Sequence, residues 1–113
     1  MDFKYLNDRL DQMVWLLPDW DGFGSVPITS KVYDVGKHLL SLIEGNNNIT
    51  SFKIFVGVDE PGTLVIYAKM CNHSVDMIIK TDGSIDYEEF QTGKSIGNGS
   101  FYLSKSVLET IFS

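Results

Sequence analysis

The tripeptide Gly-Lys-Ser at 93–95 has the residue types that end a phosphate-binding loop, in which backbone N–H groups and a lysine hold the phosphates of a nucleotide. The first glycine of such a loop would fall at position 88. Glu88 stands there instead, and its carboxylate would repel phosphate. The Gly22-x-Gly24 pair likewise lacks the preceding strand and third glycine of a dinucleotide-binding turn. The sequence therefore predicts no nucleotide cofactor and an ordinary glycine-containing loop over 91–100.

Carboxylates that could bind a cation occur in two places. Asp19 and Asp21 have the spacing that opens a calcium loop, but Phe23 occupies the third ligand position and Ser30 stands where a bidentate glutamate is needed. The second group is an acidic patch in the C-terminal half, for which a solvated strand face is the simpler reading: Asp82, Asp86, Glu88 and Glu89. We expect no metal site at either place.

The histidines and the cysteine offer little for catalysis. His38 and His73 lack a neighbouring Cys or His at structural-zinc spacing. Cys71 and His73 form a weak nucleophile–base candidate, against which we set a partly buried cysteine at a strand end and a solvated turn histidine. We expect no catalytic residues.

The segment 17–28 is rich in aromatic and glycine residues (Leu-Pro-Asp-Trp-Asp-Gly-Phe-Gly-Ser-Val-Pro-Ile). Trp20 and Phe23 can fill the junction between two helices and a sheet, while Asp21 bonds exposed backbone N–H groups. Alternatively, Trp20 or Phe23 stays partly exposed and anchors a binding partner, because aromatic side chains dominate interface energetics.

This segment resembles the Trp-Asp-Gly-Tyr-Gly-Ala motif of a family of small bacterial and phage proteins. The later stretches 61–66 (Pro-Gly-Thr-Leu-Val-Ile) and 82–87 (Asp-Gly-Ser-Ile-Asp-Tyr) look like later segments of the same family. Phe23 and Ser25 replace the usual Tyr and Ala. The resemblance implies a related fold and a mobile-element setting, and it implies no activity.

Two amphipathic helices are predicted in the N-terminal part of the chain. Apolar residues recur at helical spacing from Phe3 to Leu17, and Pro18 ends that helix. A second helix begins near Thr29 or Ser30, either of which can cap it, and stops at Gly45.

The hydrophobic period then changes to two, which predicts strands over about 52–58, 63–70, 74–80 and 84–90. Pro61-Gly62 suits a type II turn, Asn72-His73 can close a hairpin, and Asp82-Gly83 is typical of a type I′ turn. Residues 101–103 can add a short edge strand and Ser106 can begin a last helix. The predicted fold is α+β, with two N-terminal helices, a four- to five-stranded antiparallel meander and a short C-terminal helix.

Composition limits the functional classes. The chain of 113 residues fits one domain, 1–113, with 43% hydrophobic residues to build a core. Its net charge of −6 disfavours contact with nucleic acid or anionic membranes. A single cysteine and the absence of a signal peptide or membrane-length apolar segment indicate a cytoplasmic protein.

Three functional hypotheses remain. The first is a non-enzymatic acidic module that inhibits a protein partner with a basic surface, as an immunity protein, antitoxin or phage anti-defence factor does. Its partner-binding residues would be Trp20, Asp21, Phe23, Asp82, Asp86, Glu88 and Glu89. The second is a homo-oligomer that binds a small ligand, a nucleotide-like anion, between subunits through Lys94, Ser95 and the glycine-containing loop over 91–100. The third is a small hydrolase or transferase that uses His73, Cys71 and one of the carboxylates.

Overall fold

The computed structural model describes residues 3–15, 28–44, 48–57, 60–104 and 106–108. Two helices are followed along the chain by five strands: α1 (Phe3–Trp15), α2 (Ser30–Ile43), β1 (Ile49–Val56), β2 (Leu64–Met70), β3 (Ser74–Ile79), β4 (Ser84–Gln91) and β5 (Lys94–Tyr102). The predicted α+β class is therefore confirmed.

The strands form one antiparallel sheet in the order β1-β2-β3-β4-β5. Successive side chains of a strand point to opposite faces, and one face is buried beneath the helices. The core joins this face to the apolar sides of α1 and α2, with completely buried members such as Leu10, Leu39, Ile66 and Met77. The opposite face of the described sheet, which we call the open face, carries the other half of the side chains.

The helices are fixed against the sheet by a cap and a close approach. Thr29 begins α2, and its hydroxyl accepts a hydrogen bond from the Val32 N–H at 3.2 Å. Gly36 lies on the buried side of α2, where an added Cβ would come within 3.2 Å of both Leu10 and Leu64. The missing side chain thus lets α1, α2 and β2 meet.

Two of the three predicted turns have the expected form. Gly62 has a φ of 80°, as the third position of a type II turn requires, and residues 71–73 join β2 to β3. The turn at Asp82-Gly83 differs from the type I′ prediction, because only Gly83 has a positive φ. The Lys80 carbonyl oxygen accepts a hydrogen bond from the Gly83 N–H, which makes a type I turn followed by a glycine bulge.

The predicted loop over 91–100 is wrong, because β5 occupies Lys94–Tyr102. Thr92 and Gly93, with φ values of 50° and 81°, form a tight two-residue turn that reverses the chain. Nine residues with few β-branched side chains give little strand signal, so the strand forms through its pairing with β4.

Three further predictions concern Cys71, the C-terminal helix and membrane-spanning segments. Cys71 is exposed and not partly buried, because it lies in the β2–β3 turn. At the C-terminal end Ser106, Val107 and Leu108 are helical, and Leu108 is buried. Among the described helices none has the length and apolar character needed to cross a bilayer.

Candidate functional site

The open face is organised as rows of side chains that run across the strands. Because antiparallel partners face the same side of a sheet, the strand registers define which residues lie next to one another. Two neighbouring central rows are Phe55–Val65–Ile78–Asp86–Ser100 and Lys53–Tyr67–Asp76–Glu88–Asn98. The first row is apolar on β1, β2 and β3 and reaches a carboxylate at Asp86 on β4. The second row begins with Lys53 on β1 and Tyr67 on β2 and carries carboxylates on β3 and β4.

The apolar half of the open face contains large exposed side chains. Phe55, Tyr67 and Ile78 keep 39%, 45% and 39% of their surface exposed, and Val65 lies between them. The Phe55 and Tyr67 rings pack edge to face with centroids 5.6 Å apart. Exposed aromatic rings that already contact each other have the properties of residues that anchor partners at protein interfaces.

Arg9 holds this aromatic pair from the side. Its Nε donates a hydrogen bond to the Ile54 carbonyl oxygen at 3.1 Å, and its guanidinium lies 6.0 Å from the centre of the Phe55 ring. The contact also covers a carbonyl on the outer edge of β1. Arg9 therefore connects α1 to the edge of the sheet and orients Phe55.

The acidic half contains one compensated and two uncompensated carboxylates. Asp86 lies 3.5 Å from the Lys80 ammonium and accepts a hydrogen bond from the Ser100 hydroxyl at 2.5 Å. Asp76 and Glu88 face each other as a cross-strand pair. Among the described residues no lysine or arginine forms an ion pair with either of them.

The Asp76 carboxyl is the group whose pKa responds to the position opposite Glu88. Partial burial raises the pKa of the Asp76 carboxyl above its ordinary value, and the negative charge of Glu88 raises that pKa further. Like charges directly opposite each other destabilise a sheet. The Asp76–Glu88 pair is thus a place where a cation from outside the described chain would be stabilising.

The four acidic residues predicted from the sequence do not form one patch. Asp86 and Glu88 lie on the open face. Glu89 lies on the opposite face, where its Oε2 is 4.0 Å from the position of an added Cβ at Gly97. Asp82 belongs to the β3–β4 turn, where the Ser84 hydroxyl and backbone N–H both donate to its carboxylate and lower its pKa.

The other predicted partner-binding residues, Trp20, Asp21 and Phe23, lie outside the described residues. Sequence reasoning instead missed Asp76, Tyr67 and Phe55. Their signal is the alternation within 64–70 and 74–80, which places Tyr67 and Asp76 in the phase opposite to the core residues. The register that puts Asp76 against Glu88 needs the turn between β3 and β4.

The two halves border a shallow depression of about 510 Å³. Its lining combines aromatic, aliphatic, amide and carboxylate groups, including Tyr67, Ile78, Asp76, Asp86, Glu88 and Asn98. Within the part of the chain that the structure describes, no group of three or more His, Cys, Asp or Glu residues is placed to hold a metal. The face has the chemistry of a surface that accepts a cationic and partly apolar group.

The Cys71 and His73 pair lies in the turn at one end of the sheet. Cys71 is exposed, and His73 Nδ1 lies 2.8 Å from Asn72 Oδ1. Neither side chain lines the depression.

Comparison with protein families, curated proteins and solved structures finds no match to this chain. The resemblance of segment 17–28 to the bacterial and phage motif therefore stays a prediction.

Proposed function

We propose that this protein is a non-enzymatic binding module whose open face covers a basic and partly apolar surface of another protein. The observation that carries the proposal is the Asp76–Glu88 pair, which lies beside the exposed Phe55–Tyr67 rings and has no cationic partner among the described residues. In biological terms it would act as an inhibitor, in the manner of an immunity protein, antitoxin or anti-defence factor.

The charge distribution supports a basic partner. The whole chain carries a net charge of −6, which speeds the encounter with a positively charged surface. At the face itself, a lysine or arginine from the partner placed between Asp76 and Glu88 would replace repulsion by two favourable ion pairs. Such a cation would return the raised Asp76 pKa towards its ordinary value.

The aromatic half supplies the part of the affinity that salt does not screen. Phe55 and Tyr67 are already in contact, so little side-chain freedom is lost when a partner covers them. Aromatic residues at the centre of an interface are frequent hot spots. We therefore expect aliphatic or aromatic groups of the partner to lie over Tyr67 and Ile78, next to its basic residue.

The anion-binding alternative needs a loop around Lys94 and Ser95, and both residues belong to strand β5 instead.

The proposal includes a cytoplasmic location for the protein.

The test compares two double variants with the same change in net charge. Asp76→Asn/Glu88→Gln removes both uncompensated carboxylates, whereas Asp8→Asn/Asp34→Asn removes two exposed carboxylates from the helices. Tagged wild type and variants are used to isolate partners from the host lysate. The affinity of the purified partner is then measured by calorimetry at about 50 and 500 mM salt.

We expect the open-face variant to weaken binding at least about tenfold, or 1.4 kcal/mol, and the helix variant to change it much less. Binding of the wild type should weaken as salt rises. Equal loss in both variants would show that only the overall charge matters. Unchanged affinity in the open-face variant would refute the proposed site.

A further inference from the structure

The depression on the open face is bordered by three neighbouring side chains of one row. Tyr67, Asp76 and Glu88 lie side by side on β2, β3 and β4. Side chains that face each other across an antiparallel pair have Cβ atoms about 4.5–5.5 Å apart. A cationic side chain that lies along this row can therefore contact the ring and reach both carboxylates.

Oxygen acceptors are concentrated at one end of the row. Asp76 and Glu88 each carry two carboxylate oxygens, and Asn98, opposite Glu88 on β5, adds an amide oxygen. Among the described residues no lysine or arginine forms an ion pair with these side chains, whereas Asp86 in the next row is compensated by Lys80. This end of the row is suited to a cation that carries several N–H donors.

The other end of the row offers an aromatic ring. Tyr67 keeps 45% of its surface exposed. The ring that it contacts, Phe55, already has a cation beside it, because the Arg9 guanidinium lies 6.0 Å from the Phe55 centroid. Arg9 is thus an example, within the same aromatic pair, of the contact that Tyr67 can make with a cation in the depression.

Arginine fits this combination of groups better than lysine does. A guanidinium presents five N–H donors in a flat fork that matches carboxylates and stacks on aromatic rings, whereas an ammonium is a compact and strongly hydrated charge with three donors. Asp76 is half-buried, and the apolar Val65 and Ile78 also border the depression. Removal of water is less costly for the weakly hydrated guanidinium.

The arginine has to come from a different protein. This chain contains one arginine, Arg9, which is already bound to the Ile54 carbonyl oxygen and lies beside the Phe55 ring. A second copy would have to break that contact in order to offer it. The net charge of −6 on each copy also opposes their approach.

We propose that the depression receives an arginine side chain of the partner protein, whose guanidinium binds Asp76 and Glu88 and lies against the Tyr67 ring. This inference rests on the proposed function, and it narrows the basic partner to one with an exposed arginine at its contact surface. The methylene groups of that arginine would pack on Val65 and Ile78. The site then selects its partner by side-chain type and not by charge alone.

The experiment compares two model compounds of equal charge, N-acetyl-arginine methylamide and N-acetyl-lysine methylamide. Each is titrated to about 50 mM into the isotope-labelled full chain at about 50 mM salt, and its affinity is read from the backbone amide shifts in NMR spectra. Tyr67→Leu removes the ring and keeps an apolar side chain, and Glu88→Gln removes one carboxylate. Asp34→Asn, an exposed carboxylate of α2, is the charge-matched control. Circular dichroism confirms that the variants fold.

We expect the arginine compound to shift the amides of Tyr67, Asp76 and Glu88 and to bind about two- to fivefold more tightly than the lysine compound. Tyr67→Leu should abolish this preference. Glu88→Gln should weaken the binding of both compounds about two- to fivefold, and Asp34→Asn should change neither.

Equal affinity for the two compounds would overturn the inference, as would a preference for arginine that persists in Tyr67→Leu. Shifts confined to residues outside the depression, or no shifts up to about 50 mM, would overturn it as well. The proposed function fails in a different way, through an unchanged affinity of the isolated partner for Asp76→Asn/Glu88→Gln. A partner that contacts this face through lysine would refute the inference and leave the proposed function standing.

Discussion

Asp76→Asn should stabilise the fold while it weakens the proposed partner binding. At pH 7 the substitution removes a partly buried carboxylate that faces Glu88 across the β3–β4 pair. Two unit charges about 5 Å apart repel by about 0.8 kcal/mol in a water-like medium, and a cross-strand charge pair is worth about 0.2–1 kcal/mol. We expect the free energy of unfolding to rise by about 0.5–1 kcal/mol and the melting temperature by about 2–5 °C.

Urea denaturation at several pH values tests the cause. Because folding raises the Asp76 pKa, the folded wild type takes up a proton more readily than the unfolded chain. The wild type therefore gains stability relative to Asp76→Asn as pH falls through the raised pKa, and the gain is complete below the ordinary value of 3.8. The difference between the two proteins should close over this window.

Glu88→Gln separates the two contributions. In that background Asp76→Asn should retain the part of its effect that comes from burial and lose the part that comes from charge repulsion, which a double-mutant cycle measures. A decrease in stability at pH 7 for Asp76→Asn, or an increase that is the same at pH 3 and pH 7, would refute the reasoning.

Two further predictions concern backbone positions. Thr92 has a φ of 50°, which is unfavourable for a β-branched residue and suits asparagine. Thr92→Asn should therefore raise the free energy of unfolding, measured by urea titration, by about 0.5–1 kcal/mol. A lower free energy of unfolding in this variant would contradict the turn assignment. Gly57→Ala should lower the free energy of unfolding by about 1–3 kcal/mol, because the new Cβ collides with the Thr63 hydroxyl that donates to the Glu60 carbonyl at 2.8 Å. In the matched Gly97→Ala variant the new Cβ meets only the Glu89 Oε2, at 4.0 Å, so the loss should be far smaller. Similar losses in both variants would count against the collision.

The elements with strong periodicity were predictable from the sequence. The capping residue Thr29 and the start of α2 follow from local chemistry, and the alternating runs of β2, β3 and β4 were placed within a residue or two. These signals are local, because a cap or an alternation is read from neighbouring residues. The α+β class follows from them.

Strand β5 and the candidate site needed tertiary information. Glycine, asparagine and serine dominate β5, and pairing with β4 overrides their weak strand preference. Glu88 and Glu89 are neighbours in the sequence but lie on opposite faces of the sheet, because successive side chains of a strand alternate between the faces. The pairing of Asp76 with Glu88 depends on the register set by the type I turn and glycine bulge at Gly83.

The order β1-β2-β3-β4-β5 has a consequence for how the chain folds. Each strand pairs only with strands next to it in sequence, across the short connections 57–63, 71–73, 80–83 and 92–93. Closing such short loops costs little chain entropy, so successive hairpins can form without waiting for distant segments. The contact of Arg9 with Ile54 spans 45 residues, so we expect the docking of α1 to follow formation of the sheet and to complete the protection of its first edge.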